Sequence, residues 1–307
     1  MTDAKSLRPL IIVGAARSGT NVLRDALVSL PGFGTWPCDE INPLWRHGNA
    51  GHPSDELTAA HATPEVSAYL RGAFRRAQAR FVGTGLDGVL VEKTCATSLR
   101  VAFVKAVFPE ARFIQIVRDG RDAVVSARER WTSGTSLSYI ARKARFVPAS
   151  DLPRYGARFV AGRIKQLVSG ERRLSSWGPR FDGMDAWVRS GSVLRVCGKQ
   201  WSECVDASSQ ALSELGPFDS IRIRYEDFVA EPRHELGRLA EWLTDGASAA
   251  SWRIDAPVRD VDLDAAAALI RPGSVSRWAE HLSADEVGAL EHLIRPTMER
   301  TGYAWTR

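Results

Sequence analysis

Several things are scarce in this 307-residue chain. Its four cysteines, Cys38, Cys95, Cys197 and Cys204, form no Cys-x-x-Cys pair and have no histidine at zinc spacing. That argues against a structural metal or a dithiol and leaves them as small buried or partly buried side chains, so no metal is expected. No apolar run approaches the roughly 18 to 20 residues a membrane span needs. The early run Leu10 to Val13 is too short for a signal-peptide core and passes at once into Gly14, which makes the cytoplasm the expected compartment. Excess charge is also small: 41 basic against 36 acidic side chains leave +5. That is too mild and dispersed for a nucleic-acid binder, but it favours an anionic small molecule. Internal repeats and low-complexity tails are missing too. What is present, 44% hydrophobic and 25% charged residues, suits a globular enzyme with a large core in a single domain spanning 1–307.

Apolar periodicity predicts the layout. Pro9 to Val13 reads as a strand, followed by a glycine and an amphipathic stretch from Ser18 to Leu30, the pattern of strand, phosphate-type turn and helix. Val89 to Val91 and Arg112 to Val117 repeat it, leading into helical patterns at Ser98 to Phe108, stopped by Pro109, and at Asp122 to Arg130. Ile221 to Arg224 reads as a further strand. Pro232 to Leu243 is an amphipathic helix, and Ser283 to Arg300 a last helix opening on the capping box SADE. Alternation of this kind predicts an α/β fold, P-loop-like, with a central parallel sheet of four or five strands and helices on both faces. Residues 131–200, with basic clusters and scattered Trp177 and Trp187, lack a clear period and read as a mainly helical insert on the substrate side. This leaves 9–130 as the donor-binding core and 201–307 as the part that completes it.

The segment GAARSGTN, residues 14–21, resembles GxxxxGK[ST] in its glycine spacing but not in its chemistry. Where that loop needs Lys and then Ser or Thr, this chain has Thr20 and Asn21, so the β,γ-phosphate cation and the magnesium ligand are both missing. Positive charge sits earlier, at Arg17. Backbone amides, the Ser18 and Thr20 hydroxyls and one guanidinium fit a metal-free phosphosulfate better than a triphosphate. A second set of donors follows in FIQIVRDGRDAVVSARER, 113–130. Arg118 ends a strand at the ligand-binding edge, and Ser126 and Arg130, four residues apart, share a helix face. A plain turn at the first loop, and pairing of Arg118, Arg121 and Arg130 with Asp119, Asp122 and Glu129 at the second, remain the alternatives.

These blocks resemble the sulfotransferases that use 3′-phosphoadenosine-5′-phosphosulfate (PAPS) and release 3′-phosphoadenosine-5′-phosphate (PAP), most of all in the style of the tyrosylprotein and bacterial branches. The resemblance implies that Ala16, Arg17, Ser18, Gly19, Thr20 and Asn21 hold the 5′-phosphosulfate, and that Arg118 and Ser126, with Arg130, hold the 3′-phosphate. In PCDEINPLWRH, 37–47, an acidic pair follows the first helix and lies near its far end. By resemblance its second member, Glu40, is the general base, with Asp39 a competitor and a capping or Arg46-pairing role the alternative. In VLVEKTCATSLR, 89–100, the resemblance makes the strand-terminal Lys93 the contact for the leaving oxygen, beside Arg17. Glu92 stays open between base and partner of Arg100, and an exposed salt bridge is the alternative for Lys93. Later blocks, IRIRYEDFVAEPRHELGRLAEWL and IRPGSVSRWAEHLSADEV, imply Tyr225, Ser274 and Arg277 as further donor contacts. His47, His52 and His61 have no ligand spacing.

The reading is thus sulfuryl transfer from PAPS to a hydroxyl or amine of a small-molecule, glycan or peptide acceptor, in a cytoplasmic and bacterial metabolic enzyme with no nucleic-acid partner. The rivals are a P-loop nucleotide kinase or other NTPase using ATP, and a non-catalytic nucleotide-binding module. The acceptor and the oligomeric state are not specified by these motifs.

Overall fold

The computed structural model describes residues 7–83, 88–132, 147–151, 177–244, 258–271 and 275–305. The elements, in chain order, are β1 (Pro9–Val13), α1 (Thr20–Val28), β2 (Phe33–Thr35), α2 (Asn42–Trp45), α3 (Pro64–Ala77), β3 (Val89–Lys93), α4 (Val101–Val107), β4 (Arg112–Val117) and α5 (Gly120–Thr132). Then come α6 (Met184–Arg189), α7 (Val193–Ser213), β5 (Ser220–Arg224), α8 (Tyr225–Ala230), α9 (Pro232–Thr244), α10 (Asp260–Ala267), α11 (Trp278–His281) and α12 (Ala284–Arg300).

The five strands form one sheet in the order β2-β3-β1-β4-β5, every neighbouring pair parallel. Because side chains alternate along a strand, β1 feeds both faces. Ile11 and Val13 join Leu90 and Phe113 under α3 and α4, around Phe74, Phe103 and Phe108. Leu10 and Ile12 join Val91, Ile114, Ile116 and Ile223 under α1, α9 and α10. A third cluster packs α5, α7 and α12 about Trp201, Cys204, Leu290 and Ile294. Each fully buried aliphatic or phenyl side chain contributes about 1.5–3 kcal/mol, so this two-sided core fixes the register of β1 and the position of the loop after it. That loop opens at the carboxyl edge where flanking strands run to opposite sides, the usual ligand crevice of such sheets.

The α/β expectation is met, with five parallel strands and helices on both faces. Ser98 to Phe108 is not one helix: a 3-10 turn, Cys95–Leu99, precedes α4. The break falls at Arg100 (φ −148°), whose buried guanidinium donates to Asn42 Oδ1 at 2.6 Å. The last helix begins as expected, Ser283 capping it reciprocally with Glu286. Much of 131–200 lies outside the described residues. Within it, α7 starts at Val193 and runs unbroken past residue 200, packing on α5 and α12. Among the described residues no helix is long and apolar enough to cross a membrane.

Candidate active site

A cleft of about 480 Å³ opens at the carboxyl edge of β1, β3 and β4, with Gly19, Thr20, Glu40, Lys93, Arg118 and Tyr225 among its walls. Its floor is the turn after β1. Gly14 must be small, since a Cβ there would stand 2.7 Å from the Ile116 carbonyl oxygen, and its N–H donates to Ser98 Oγ at 2.9 Å. Arg17 (φ 71°) and Gly19 (φ 87°) take left-handed conformations, which turn the chain back so that α1 starts facing the cleft. No side chain caps α1, so the amides of its first turn are available to an anion. The Ser18 hydroxyl is buried without a hydrogen-bond partner. Ala16 and Asn21 complete the loop's share of the lining.

The second donor set converges on the same place. Arg118 Nη1 donates to the Arg17 carbonyl at 3.1 Å, and its guanidinium lies 4.5 Å from the Tyr225 ring centroid. Arg17 Nε donates to Ser126 Oγ at 2.9 Å, and Arg130 also lines the cleft. The protein packed around Arg17, then the like charges of Arg118 and Arg130, lower its pKa, although a guanidinium stays charged at neutral pH. Three cations held together against their mutual repulsion suit a polyanion.

Lys93, at the end of β3, is 4% exposed, which rules out a surface salt bridge. Its ammonium stands 3.3 Å from Glu40 Oε1. Burial works against its charge, but Cys95 and Glu40 outweigh burial and raise its pKa. The same Glu40 oxygen accepts the Cys95 N–H at 3.3 Å.

The acidic pair is not at the far end of the first helix. β2, a three-residue edge strand paired parallel to β3, carries the chain back to the carboxyl edge. Asp39 there lies 3.6 Å from Arg24 and, like Glu40, lines the cleft. Arg46 pairs with Asp55 at 2.8 Å, not with Glu40. Glu92 is buried beneath the site, donated to by Thr94 Oγ1 at 2.6 Å, and is not part of the lining.

The ion-pair alternative is realised in part. Arg121 pairs with Asp119 at 2.6 Å, Arg118 approaches Asp122 at 3.6 Å, and Arg277 meets Glu129 at 3.1 Å. Arg277 does not line the cleft; its contacts are with Glu129 of α5 and His281. Ser274 lies outside the described residues. The histidines are elsewhere: His47 stacks on Tyr69 at 3.7 Å and bonds to Asp151, and His52 faces His61 at 5.0 Å. Sequence reasoning missed Val22, Asn42, Cys95, Trp177 and Gly178 among the lining residues. Cys95 lies within the 89–100 block already singled out, whereas Trp177 carried no local signal.

Compared with known proteins, the chain matches a family model described as the sulfotransferase family over residues 9–163, half its length. The chain belongs to the sulfotransferase family. Solved structures that resemble this sulfotransferase include STF9 from Mycobacterium avium, at 15% identity over 97% of this chain and 78% of that one, with a TM-score of 0.54. A sulfotransferase from Alicyclobacillus acidocaldarius is similar at 14% identity over 95% and 92%, TM-score 0.47. Mouse sulfotransferase SULT7A1, solved in complex with PAP, is similar at 13% over 98% and 86%, TM-score 0.49. The likeness to STF9 bears on fold alone. No curated protein sequence matches the chain.

Proposed function

We propose that this sulfotransferase transfers a sulfuryl group from PAPS to an acceptor hydroxyl or amine. The observation that carries the reading is the convergence of Arg17, Arg118, Arg130 and Lys93 on one cleft beside Glu40. When bound, PAPS supplies the sulfuryl group and departs as PAP. The loop 14–21 with the Ser18 and Thr20 hydroxyls would hold the 5′ end, and Arg118, Ser126 and Arg130 the 3′-phosphate, with Tyr225 against them. Glu40 takes the proton from the acceptor, a role worth roughly 10²- to 10⁴-fold. Arg17 and Lys93 neutralise charge on the departing side, where fixed cations act without reorganising. Lys93 also holds Glu40 in place until the acceptor arrives. Trp177 and Gly178 line the cleft, in keeping with a substrate-side role for 131–200 in a single domain.

The same strand-loop-helix opening would serve an ATP-using enzyme, but Thr20 and Asn21 stand where such a loop needs its lysine and its magnesium ligand. The test is thermal shift with PAP against ATP plus magnesium. A ligand at a hundred times its Kd stabilises by about 2.7 kcal/mol, so PAP is expected to raise Tm and magnesium-ATP to leave it unchanged. Stabilisation by magnesium-ATP alone sinks the reading. PAP release from PAPS, followed against a panel of phenols, alkyl glycosides and acidic peptides, then finds the acceptor class. There Glu40→Gln is expected to lower kcat by about 10²-fold or more while the PAP shift persists; undiminished turnover removes Glu40 as the base.

A further inference from the structure

The chain from 93 to 95 touches the loop at 40 and 41 three times. Lys93 Nζ and the Cys95 N–H both reach Glu40 Oε1, each at 3.3 Å. Between them, Thr94 Oγ1 accepts the Ile41 N–H at 3.1 Å. A hydroxyl has one proton, and here it is committed elsewhere: Thr94 donates it to Glu92 Oε1 at 2.6 Å. Thr94 is fully buried and Glu92 is 1% exposed, and neither lines the cleft. Their arrangement follows from extended backbone. Thr94 continues β3 at φ −131°, ψ 116°, so Glu92 and Thr94 share one side and Lys93 takes the other. Glu92, by accepting the hydroxyl proton, fixes the rotor so that its lone pairs face Ile41. Ile41 itself is 1% exposed and anchored in the core beside Trp45.

We propose that Thr94, oriented by Glu92, is a positioning residue that sets the base loop and thereby aims the Glu40 carboxylate. Its catalytic consequence rests on the reading of Glu40 as the base; its effect on the loop does not. Without the hydroxyl, the Ile41 N–H loses its buried acceptor, and the direct tie between the loop at 40–41 and the end of β3 is left to the Glu40 contacts with Lys93 and Cys95. Those contacts must loosen whenever Glu40 engages an acceptor, whereas the Thr94 bond persists through the cycle. Small misplacements of a reacting group cost rate steeply.

The experiment compares Thr94→Val, Thr94→Ser and Glu40→Gln with the parent by two readouts. Hydrogen exchange across residues 38–42 reports the loop directly. PAP release from PAPS reports kcat, with water as acceptor and then with any acceptor the panel identifies. Thr94→Val is expected to speed exchange in this segment and lower kcat about 10- to 100-fold, while KM for PAPS and the PAP thermal shift stay put. Thr94→Ser restores both. Parental exchange in Thr94→Val, or parental kcat in that variant while Glu40→Gln is inactive, overturns the proposal. If Glu40→Gln keeps full turnover, the base reading fails instead, and the exchange arm still decides whether Thr94 sets the loop. Should Thr94→Val not fold, Thr94→Ala removes the hydroxyl without the added methyl and is read the same way.

Discussion

Glu92 shows how one buried carboxyl can shape both site and stability. Burial, against the pull of Thr94, Arg100, Trp45 and Lys93, raises its pKa to about 7, from about 4.3 in an unfolded chain. Between those values the folded protein holds a proton that the unfolded chain has released. Stability therefore falls as pH rises from about 4.5 to about 7 and is level above, a loss of about 3 kcal/mol from this group. Glu92→Gln has no proton to lose, so its stability relative to the parent should improve by up to that amount between pH 5 and pH 8, measured by urea denaturation. Parallel profiles would show that Glu92 ionises normally. Glu92 does not line the cleft, whereas Asp39, about half exposed beside Arg24, does.

At the scale of elements, the junction between loop 14–19 and α8 is the tightest constraint on the donor side. A Cβ on Gly19 would lie 2.3 Å from Tyr225 Cδ2, and Tyr225, 7% exposed, supports the Arg118 guanidinium on its ring. Gly19→Ala is thus expected to displace Tyr225 and Arg118 together, weakening PAP binding at least about tenfold beyond the roughly 1–2 kcal/mol that left-handed backbone costs a non-glycine residue. Gly183→Ala separates the two effects: Gly183 has φ 71° with nothing within 4 Å of its Cβ position, so it carries the strain alone and PAP affinity should hold. Equal PAP affinity in both variants would falsify the steric account. The turn between β1 and α1 was legible because glycine spacing after a short apolar run is a local fact. β1, β3 and β4 were legible because strands buried on both faces read as continuous apolar runs. β2 was not, being three residues, Phe-Gly-Thr, on an edge. Its omission misplaced the acidic pair by the length of the sheet. Helix α7 escaped notice because its buried stripe, at Leu194, Cys197, Trp201, Cys204, Val205, Ser208 and Leu212, runs across residue 200, where the sequence was divided between insert and core. The bracket of Thr94 on Ile41 spans 53 residues and has no signature in sequence.

Across the whole molecule, the last residues described brace the turn from β4 into α5. The hydroxyl of Tyr303, just after α12, lies 2.9 Å from the Val117 carbonyl and 2.5 Å from Glu226 Oε2, and its single proton goes to one of these two acceptors at a time. Glu226, in α8, accepts the Asp119 N–H through its other oxygen at 3.0 Å. The turn from β4 into α5, which carries Arg118, is therefore held between an element that follows β5 and the last residues described. Tyr303 is 5% exposed, and burial, then Glu226, push its pKa well above the ordinary tyrosine value. Tyr303→Phe keeps the ring and removes the donor that the half-buried Glu226 carboxylate and the Val117 carbonyl share. The expected loss is about 1–3 kcal/mol of stability. A purely structural brace would stop there. Because the released Glu226 also positions Asp119, one residue from Arg118, PAP affinity should fall several-fold as well, read by titration at a temperature where both proteins are fully folded. A stability loss with parental PAP affinity would mean that the turn holds Arg118 without help from the end of the chain.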